Sequence, residues 1–200
     1  MFTGIVEALG RVEAIETAGS GTAFWLTCPF SAELRVDESV SHNGACLTVA
    51  DKQDDRYKVV AVEETLARTN LGQWQVGSRI NLERSMPASG RFDGHIVQGH
   101  VDALGKLESV DDRDGSWLLR FSYPPTYARL LVEKGSCCVN GVSLTVFGLQ
   151  GNTFQVAIIP YTWAHTNLQD LAPGQPVNLE FDLVGKFLLR SWEVAAATTA

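Results

Sequence analysis

The sequence predicts an all-β protein in which one small barrel-forming unit is written twice and followed by a helix. Three observations carry that prediction. The chain matches itself at a separation of nearly half its length. Each copy consists of short β-rich runs separated by turn residues. Residues 186–200 have helical composition and no counterpart after the first copy.

The repeat is read directly from the letters. GIVEALGRVEAI (Gly4 to Ile15) matches GHVDALGKLESV (Gly99 to Val110) at a shift of 95. Further on the shift becomes 97: NGACLTV (Asn43 to Val49) matches NGVSLTV (Asn140 to Val146), and ETLARTNL (Glu64 to Leu71) matches YTWAHTNL (Tyr161 to Leu168). Between residues 39 and 83, 17 of 45 positions are identical to their partners, far above chance, so the duplication is real. A period this long marks two whole domains and not a solenoid of small repeats.

Within each copy, Tyr57–Val62 and Phe154–Ile159 are strand-like runs bounded by Gly, Asn and Asp. Asn43-Gly44 and Asn140-Gly141 are tight-turn signals, and Asp54-Asp55 and Gly151-Asn152 mark hairpins at matching places. Several short strands in so few residues suggest a small closed barrel, which also leaves no exposed sheet edge. Ser85 to Gly94, with Pro87, Gly90 and Gly94, reads as a linker. The expected units are therefore 1–94, 95–185 and a helical tail at 186–200. In that tail Leu188, Leu189, Trp192, Ala195 and Ala196 share one face, which either packs on its own domain or joins subunits.

Composition narrows the function classes. The net charge is −7 and the basic residues are scattered, which argues against a nucleic-acid partner. No apolar run approaches the roughly 18 residues of a membrane span. The N-terminus does not read as a signal peptide. Cys28, Cys46, Cys137 and Cys138 form no C-x-x-C pair, and reduced thiols in a cytosolic protein are the simplest reading. Neither metal-ligand spacing nor a nucleotide-cofactor fingerprint is present, so no cofactor and no metal are expected.

Positions that both copies keep belong to the fold or to a shared ligand site. Thr48 and Thr145 alternate with apolar neighbours in N-G-x-x-L-T-V, either as ordinary strand residues or, beside Cys46 and Ser143, as a polar row lining a pocket. Thr65 and Thr162 are either caps or pocket residues. Positions that change are candidates for asymmetry. His100 stands where the first copy has Ile5, a proton carrier near neutral pH placed in one copy only, with an exposed strand histidine as the plainer alternative. Cys46 stands opposite Ser143; a buried thiol is the plainer reading, and its serine counterpart favours a ligand-facing position. His95 carries less weight and reads as structural.

MFTGIVE, SVSHNGACLTV, ETLARTNLG, GHIVQGHVD and KGSCCVNGVSLTV, in this order and over essentially the whole chain, resemble the riboflavin synthase family (alpha chain). The resemblance implies two six-stranded antiparallel Greek-key barrels, a C-terminal helix and a cytoplasmic homotrimer held by those helices. It also admits an association with lumazine synthase as a further partner. The implied reaction is a dismutation of two 6,7-dimethyl-8-ribityllumazine molecules, without cofactor or metal, as the last step of riboflavin biosynthesis. By matching position it assigns substrate contacts to Gly4, Ile5 and Val6; to Cys46, Leu47 and Thr48; to Val60, Ala61, Val62, Glu63, Glu64 and Thr65; and to Gly99, His100 and Val101. In the second copy it assigns them to Lys134, to Ser143, Leu144 and Thr145, and to Ile159, Pro160, Tyr161, Thr162, Trp163 and Ala164. Ser39, Cys46, His100 and Asp182 match positions linked to catalysis. Active sites are implied between the first barrel of one subunit and the second barrel of its neighbour. The alternative is a non-catalytic lumazine- or flavin-binding antenna protein, a class that typically lacks the cysteine and histidine at positions 46 and 100.

Overall fold

The computed structural model describes residues 1–198. Six strands form the first repeat: β1 (Ala8–Ala18), β2 (Gly21–Thr27), β3 (Ser39–His42), β4 (Ala45–Gln53), β5 (Arg56–Ala61) and β6 (Arg79–Arg84). They close into an antiparallel barrel in the spatial order β1-β2-β5-β4-β3-β6. β3, β4 and β5 follow one another through hairpins. β6 returns beside β3 after a long connection holding the short helix α1 (Glu63–Arg68), which makes the Greek key.

The second repeat has the same path with one difference. Its strands are β7 (Ala103–Asp112), β8 (Trp117–Ser122), β9 (Ser136–Val139), β10 (Val142–Thr145), β11 (Phe147–Gln150), β12 (Thr153–Ile158) and β13 (Pro176–Phe181), with helix α2 (Pro160–His165) before the last. There are seven strands, not the expected six, because the equivalent of β4 is split at Val146 into β10 and β11. Both copies carry a bulge here. Val49 and Val146 extend the β3–β4 and β9–β10 ladders by one step, Val49 N–H donating to the Glu38 carbonyl and Val146 N–H to that of Gly135, each at 2.8 Å, and the register toward the next strand shifts just beyond them. β4 runs on past its bulge, whereas Gly148, at φ +60, interrupts pairing with β12.

Alternation fills each barrel. In β5 Tyr57, Val59 and Ala61 are buried while Lys58 and Val60 face out. The first core gathers Val12, Leu26, Val40, Leu47, Tyr57 and Leu82; the second gathers Leu107, Phe121, Cys137, Phe154, Val156 and Phe181. Each such apolar side chain contributes about 1.5–3 kcal/mol by leaving water.

The barrels meet across an approximate two-fold axis. Phe2 and Val97, equivalent residues, pair in antiparallel fashion on it, with N–H to O distances of 2.7 and 3.1 Å. Gly44 and Gly141 face each other so closely that a Cβ on either would come within 3 Å of the other's amide nitrogen. Their partners Asn43 and Asn140 take left-handed backbone (φ 47 and 46) and join a buried cluster with Asn70, Asn81, Asn167 and Asn178. Asn81 Nδ2 donates to the Asn140 carbonyl, and Asn178 Nδ2 donates to that of Asn43, both at 2.8 Å. The Asn-Gly pairs, read from the sequence as turns, are thus also the joint between the barrels.

Helix α3 (Leu183–Thr198) starts ahead of the expected boundary at 186, because Asp182 Oδ1 accepts the Val184 N–H and caps it. Val184, Phe187, Leu188 and Trp192 are all more than half exposed, and no residue of the helix is buried. Of the expected face, Leu188 and Trp192 stay open to solvent while Leu189 is half-buried, lining a hollow with Leu130. None of the described helices is long and apolar enough to cross a membrane.

Candidate active site

The segment leading into each repeat docks on the other barrel. The Gly4 carbonyl, ahead of β1, accepts the amide of Ser143 in β10 at 2.8 Å, and Val6 packs against the second core. The Gly99 carbonyl, ahead of β7, accepts the amide of Cys46 in β4 at 2.8 Å, and Val101 packs against the first core. Only glycine fits. Gly4 and Gly99 have φ of +77 and +82, and a Cβ would stand 2.6 Å from Ser143 Cβ and 2.5 Å from Cys46 Cβ.

A buried carboxylate fastens each lead-in. Glu83 accepts the Thr3 and Gly4 amides (2.6 and 2.9 Å) and the Thr3 hydroxyl (2.8 Å). Glu180 accepts the amides of Gln98 (2.7 Å), Gly99 and His100 (both 2.9 Å). Burial pushes both carboxyl pKa values up, while the amides pull against it.

The exchange builds the first cleft, of about 280 Å³. It is lined by Ala45 and Cys46 of β4, by Glu64, Thr65 and Arg68 of α1, by Thr69, and by Gly99, His100 and Val101 from the other repeat. His100 is exposed and Cys46 is half-buried. Glu64 and Arg68 form an ion pair at 3.1 Å on the rim. The matching positions on the second barrel follow from the repeat. Ser143 replaces Cys46, Ile5 replaces His100, and Tyr161 and His165 replace Glu64 and Arg68, stacking their rings 4.1 Å apart. The cleft thus offers a thiol, an imidazole and a carboxylate, whereas the matching positions on the second barrel carry a hydroxyl and aromatic surface.

Comparison with known proteins agrees with this duplicated architecture. The profile of the Lumazine binding domain matches twice, at residues 3–85 and 98–182. Riboflavin synthase of Mycobacterium bovis is 42% identical over 195 residues, covering 95% of this chain and 97% of that one. The Bacillus subtilis enzyme is 38% identical over 191 residues, covering 95% and 89%. The Saccharomyces cerevisiae enzyme is 35% identical over 201 residues, covering 94% and 84%. This chain belongs to the riboflavin synthase family. Two solved structures share the fold: LumP complexed with riboflavin (TM-score 0.84, 21% identity) and LumP complexed with 6,7-dimethyl-8-(1'-D-ribityl) lumazine (TM-score 0.82, 19% identity). Each match covers 90% of this chain and 99% of LumP.

Read as a riboflavin synthase family chain, the sequence groups Gly4, Ile5 and Val6 with Cys46. The structure places them instead against the second barrel, because the lead-ins cross. Ile5 lines a separate hollow with Met86 and Pro87 of the linker. Leu47 and Leu144 point into the barrel cores, so only their backbone is available to a ligand. Thr48 and Thr145 are exposed on the outer wall, paired in register with Ser39 and Ser136. Ser39 lies outside the first cleft, and Asp182 caps α3. Lys134 (φ 65) is exposed, its Nζ 5.2 Å from the Phe147 ring. Val60 and Val62 face outward with Ala61 buried between them, and Glu63 opens α1. Ile159, Pro160 and Ala164 are exposed around α2, whose Trp163 stacks on Trp117 at 4.5 Å. The capping reading of Thr65 and Thr162 shifts by one turn. Their carbonyls accept the hydroxyls of Thr69 and Thr166, and it is those hydroxyls that cap the next turn.

Two features around the site went unassigned or were read as structural in the sequence. One is the pair of carboxylates, Glu83 and Glu180, whose signal was the duplicated Asn-Leu-Glu. The other is His95, whose Nδ1 sits 2.7 Å from Ser143 Oγ.

Proposed function

We infer that the protein dismutates two molecules of 6,7-dimethyl-8-ribityllumazine. One gives a four-carbon unit to the other, and the products are riboflavin and 5-amino-6-(D-ribitylamino)uracil. The observation that carries this reading is the crossing of the lead-ins. It builds the cleft that puts His100 beside Cys46, and by the repeat a second, unlike cleft falls around Ser143, with Ile5 at the position of His100. Two copies of one substrate need two similar seats, and donor and acceptor need different chemistry. Orienting two reactants contributes about 7–11 kcal/mol to such a reaction.

The acceptor lumazine occupies the first cleft, near Cys46 and His100, and the donor occupies the second. One lumazine loses a proton from its C7 methyl group, and the other takes a nucleophile or a water at C7. His100 moves protons there. Thr48 and Thr145 hydrogen-bond the ring systems, and the residues around α1 and α2 complete the two seats. Ser39 and Asp182, outside the first cleft of their own chain, act where the first barrel of one subunit meets the second barrel of another. The open apolar stripe of α3 fits a homotrimer built on that helix. The four free cysteines suit a reducing compartment, and we assign the protein to the cytoplasm.

Purified protein incubated with 6,7-dimethyl-8-ribityllumazine and no additive is expected to form riboflavin, with two substrate molecules consumed per product. Fluorescent binding without conversion would overturn the reading and leave a lumazine carrier.

A further inference from the structure

The two clefts differ in one residue that has no place in the repeat. His95 lies upstream of the duplicated region, where Met1 corresponds to Ile96. It is seated firmly. Its amide donates to the Thr3 carbonyl at 3.1 Å. The preceding Gly94 is so close that a Cβ would collide with that same carbonyl and stand 3.0 Å from Ser143 Oγ. The linker therefore ends directly on Ser143, and the imidazole Nδ1 reaches Ser143 Oγ at 2.7 Å.

The other ring nitrogen decides the direction of this hydrogen bond. His95 Nε2 is buried and finds no partner among the described residues. Burial disfavours the imidazolium and lowers the ring's pKa, against the pull of Asp182 at the end of β13, the charged group that acts on it. A neutral imidazole has one N–H and one bare nitrogen. Burying an unmet N–H is costly, and an unmet lone pair is better tolerated. The hydrogen therefore belongs on Nδ1, which donates to Ser143 Oγ. The Ser143 hydroxyl then has its own hydrogen left to give outward.

Resting on the function proposed above, we propose that His95 is a positioning residue of the second cleft: it holds the Ser143 oxygen so that the hydroxyl donates to an acceptor on the bound lumazine. The pteridinedione ring presents carbonyl oxygens and ring nitrogens for that bond. Cys46, the counterpart of Ser143, shares its cleft with His100. The two seats therefore differ in how their central polar group is held.

The test uses the full-length protein and 6,7-dimethyl-8-ribityllumazine, with kcat and KM measured for H95L, H95N, S143A and the double variant H95L/S143A. Asparagine can place an N–H where Nδ1–H stood; leucine cannot. H95L is expected to lower kcat/KM about tenfold, the size of one lost hydrogen bond. H95N is expected to restore most of it, and the double variant to be no worse than S143A alone. Full kcat/KM in H95L overturns the proposal, as does equal damage in H95L and H95N with S143A unaffected. Should H95L fail to fold, the 15N shifts of the wild-type histidine decide: protonated Nδ1 supports the proposal and protonated Nε2 overturns it. A wild-type protein that converts no lumazine refutes the proposed reaction instead, and the tautomer remains readable.

Discussion

Inside the first barrel His42 Nε2 and the Tyr57 hydroxyl lie 2.9 Å apart, both fully buried. The second barrel puts Val139 and Phe154 at those positions, also fully buried. The clefts diverge likewise: Cys46 against Ser143, His100 against Ile5, an ion pair against stacked rings. Along the axis between the barrels almost nothing diverges. Asn43, Asn70 and Asn81 keep their partners Asn140, Asn167 and Asn178, and Glu83 keeps Glu180. Constancy follows mutual dependence. Each interfacial asparagine satisfies backbone or side-chain groups of the opposite copy, so a change in one strands a buried group in the other. Core residues answer only to their own barrel, and cleft side chains such as Cys46 and His100 face open space rather than a matched partner in the other copy.

The sharpest way to break this comparison is to remove a matched pair from the axis. Glu180→Ala strips three amides of their acceptor, that of Gly99 buried, and Glu83→Ala strips two buried ones, so each should cost about 4 kcal/mol, read by urea unfolding. Equal stability losses with unequal activity losses would support the assignment of His100 to catalysis, because only Glu180 holds the His100 amide. Stability unchanged in either variant would contradict the fastening role.

Acid tests the unlike cores. Burial lowers the His42 pKa to about 4 from 6.5, and the Val40 carbonyl opposes the shift only in part. The unfolded chain therefore takes up this proton first as pH falls. Stability is intact above about 6.5 and declines toward pH 4, by about 3 kcal/mol in all. Glu83 and Glu180 run the other way: with raised pKa values they ionise at a cost as pH rises past their ordinary range. Replacing His42 and Tyr57 together by Val and Phe, the residues of the second core, should flatten stability between pH 6.5 and 4. A decline as steep as in the wild type would place the acid sensitivity elsewhere.

At the clefts, His100→Ala should lower kcat roughly 100-fold, the lower end of what a positioned proton carrier contributes, or about 2.7 kcal/mol. Ile5→Ala at the matching position should change kcat by only a few-fold. Comparable losses from the two would mean that both lead-ins merely shape the walls.

Much of this was legible in the sequence. The repeat, the turns and the strand runs yielded two barrels, and the changed positions pointed to His100 and Cys46. The crossing of the lead-ins was not legible. Gly4–Val6 and Gly99–Val101 match at a shift of 95 whichever barrel they dock on, and no local pattern records the choice. The split of β10 from β11 was hidden because a bulge beside Gly148 leaves the strand's alternation nearly intact. His95 was read as structural because a comparison of copies gives little weight to a residue that has no partner.

The crossed lead-ins also bear on how such a molecule could come to be asymmetric. Neither half of the chain is a self-sufficient module, since each borrows a wall from the other. Two separate copies of a single repeat, clasped in the same manner, would have identical clefts, and any substitution would appear in both. Joined in one chain, the copies can mutate independently while the clasp between them stays unchanged. The covalent linker is thus what lets a symmetric pair become unlike, with cysteine on one side and serine on the other.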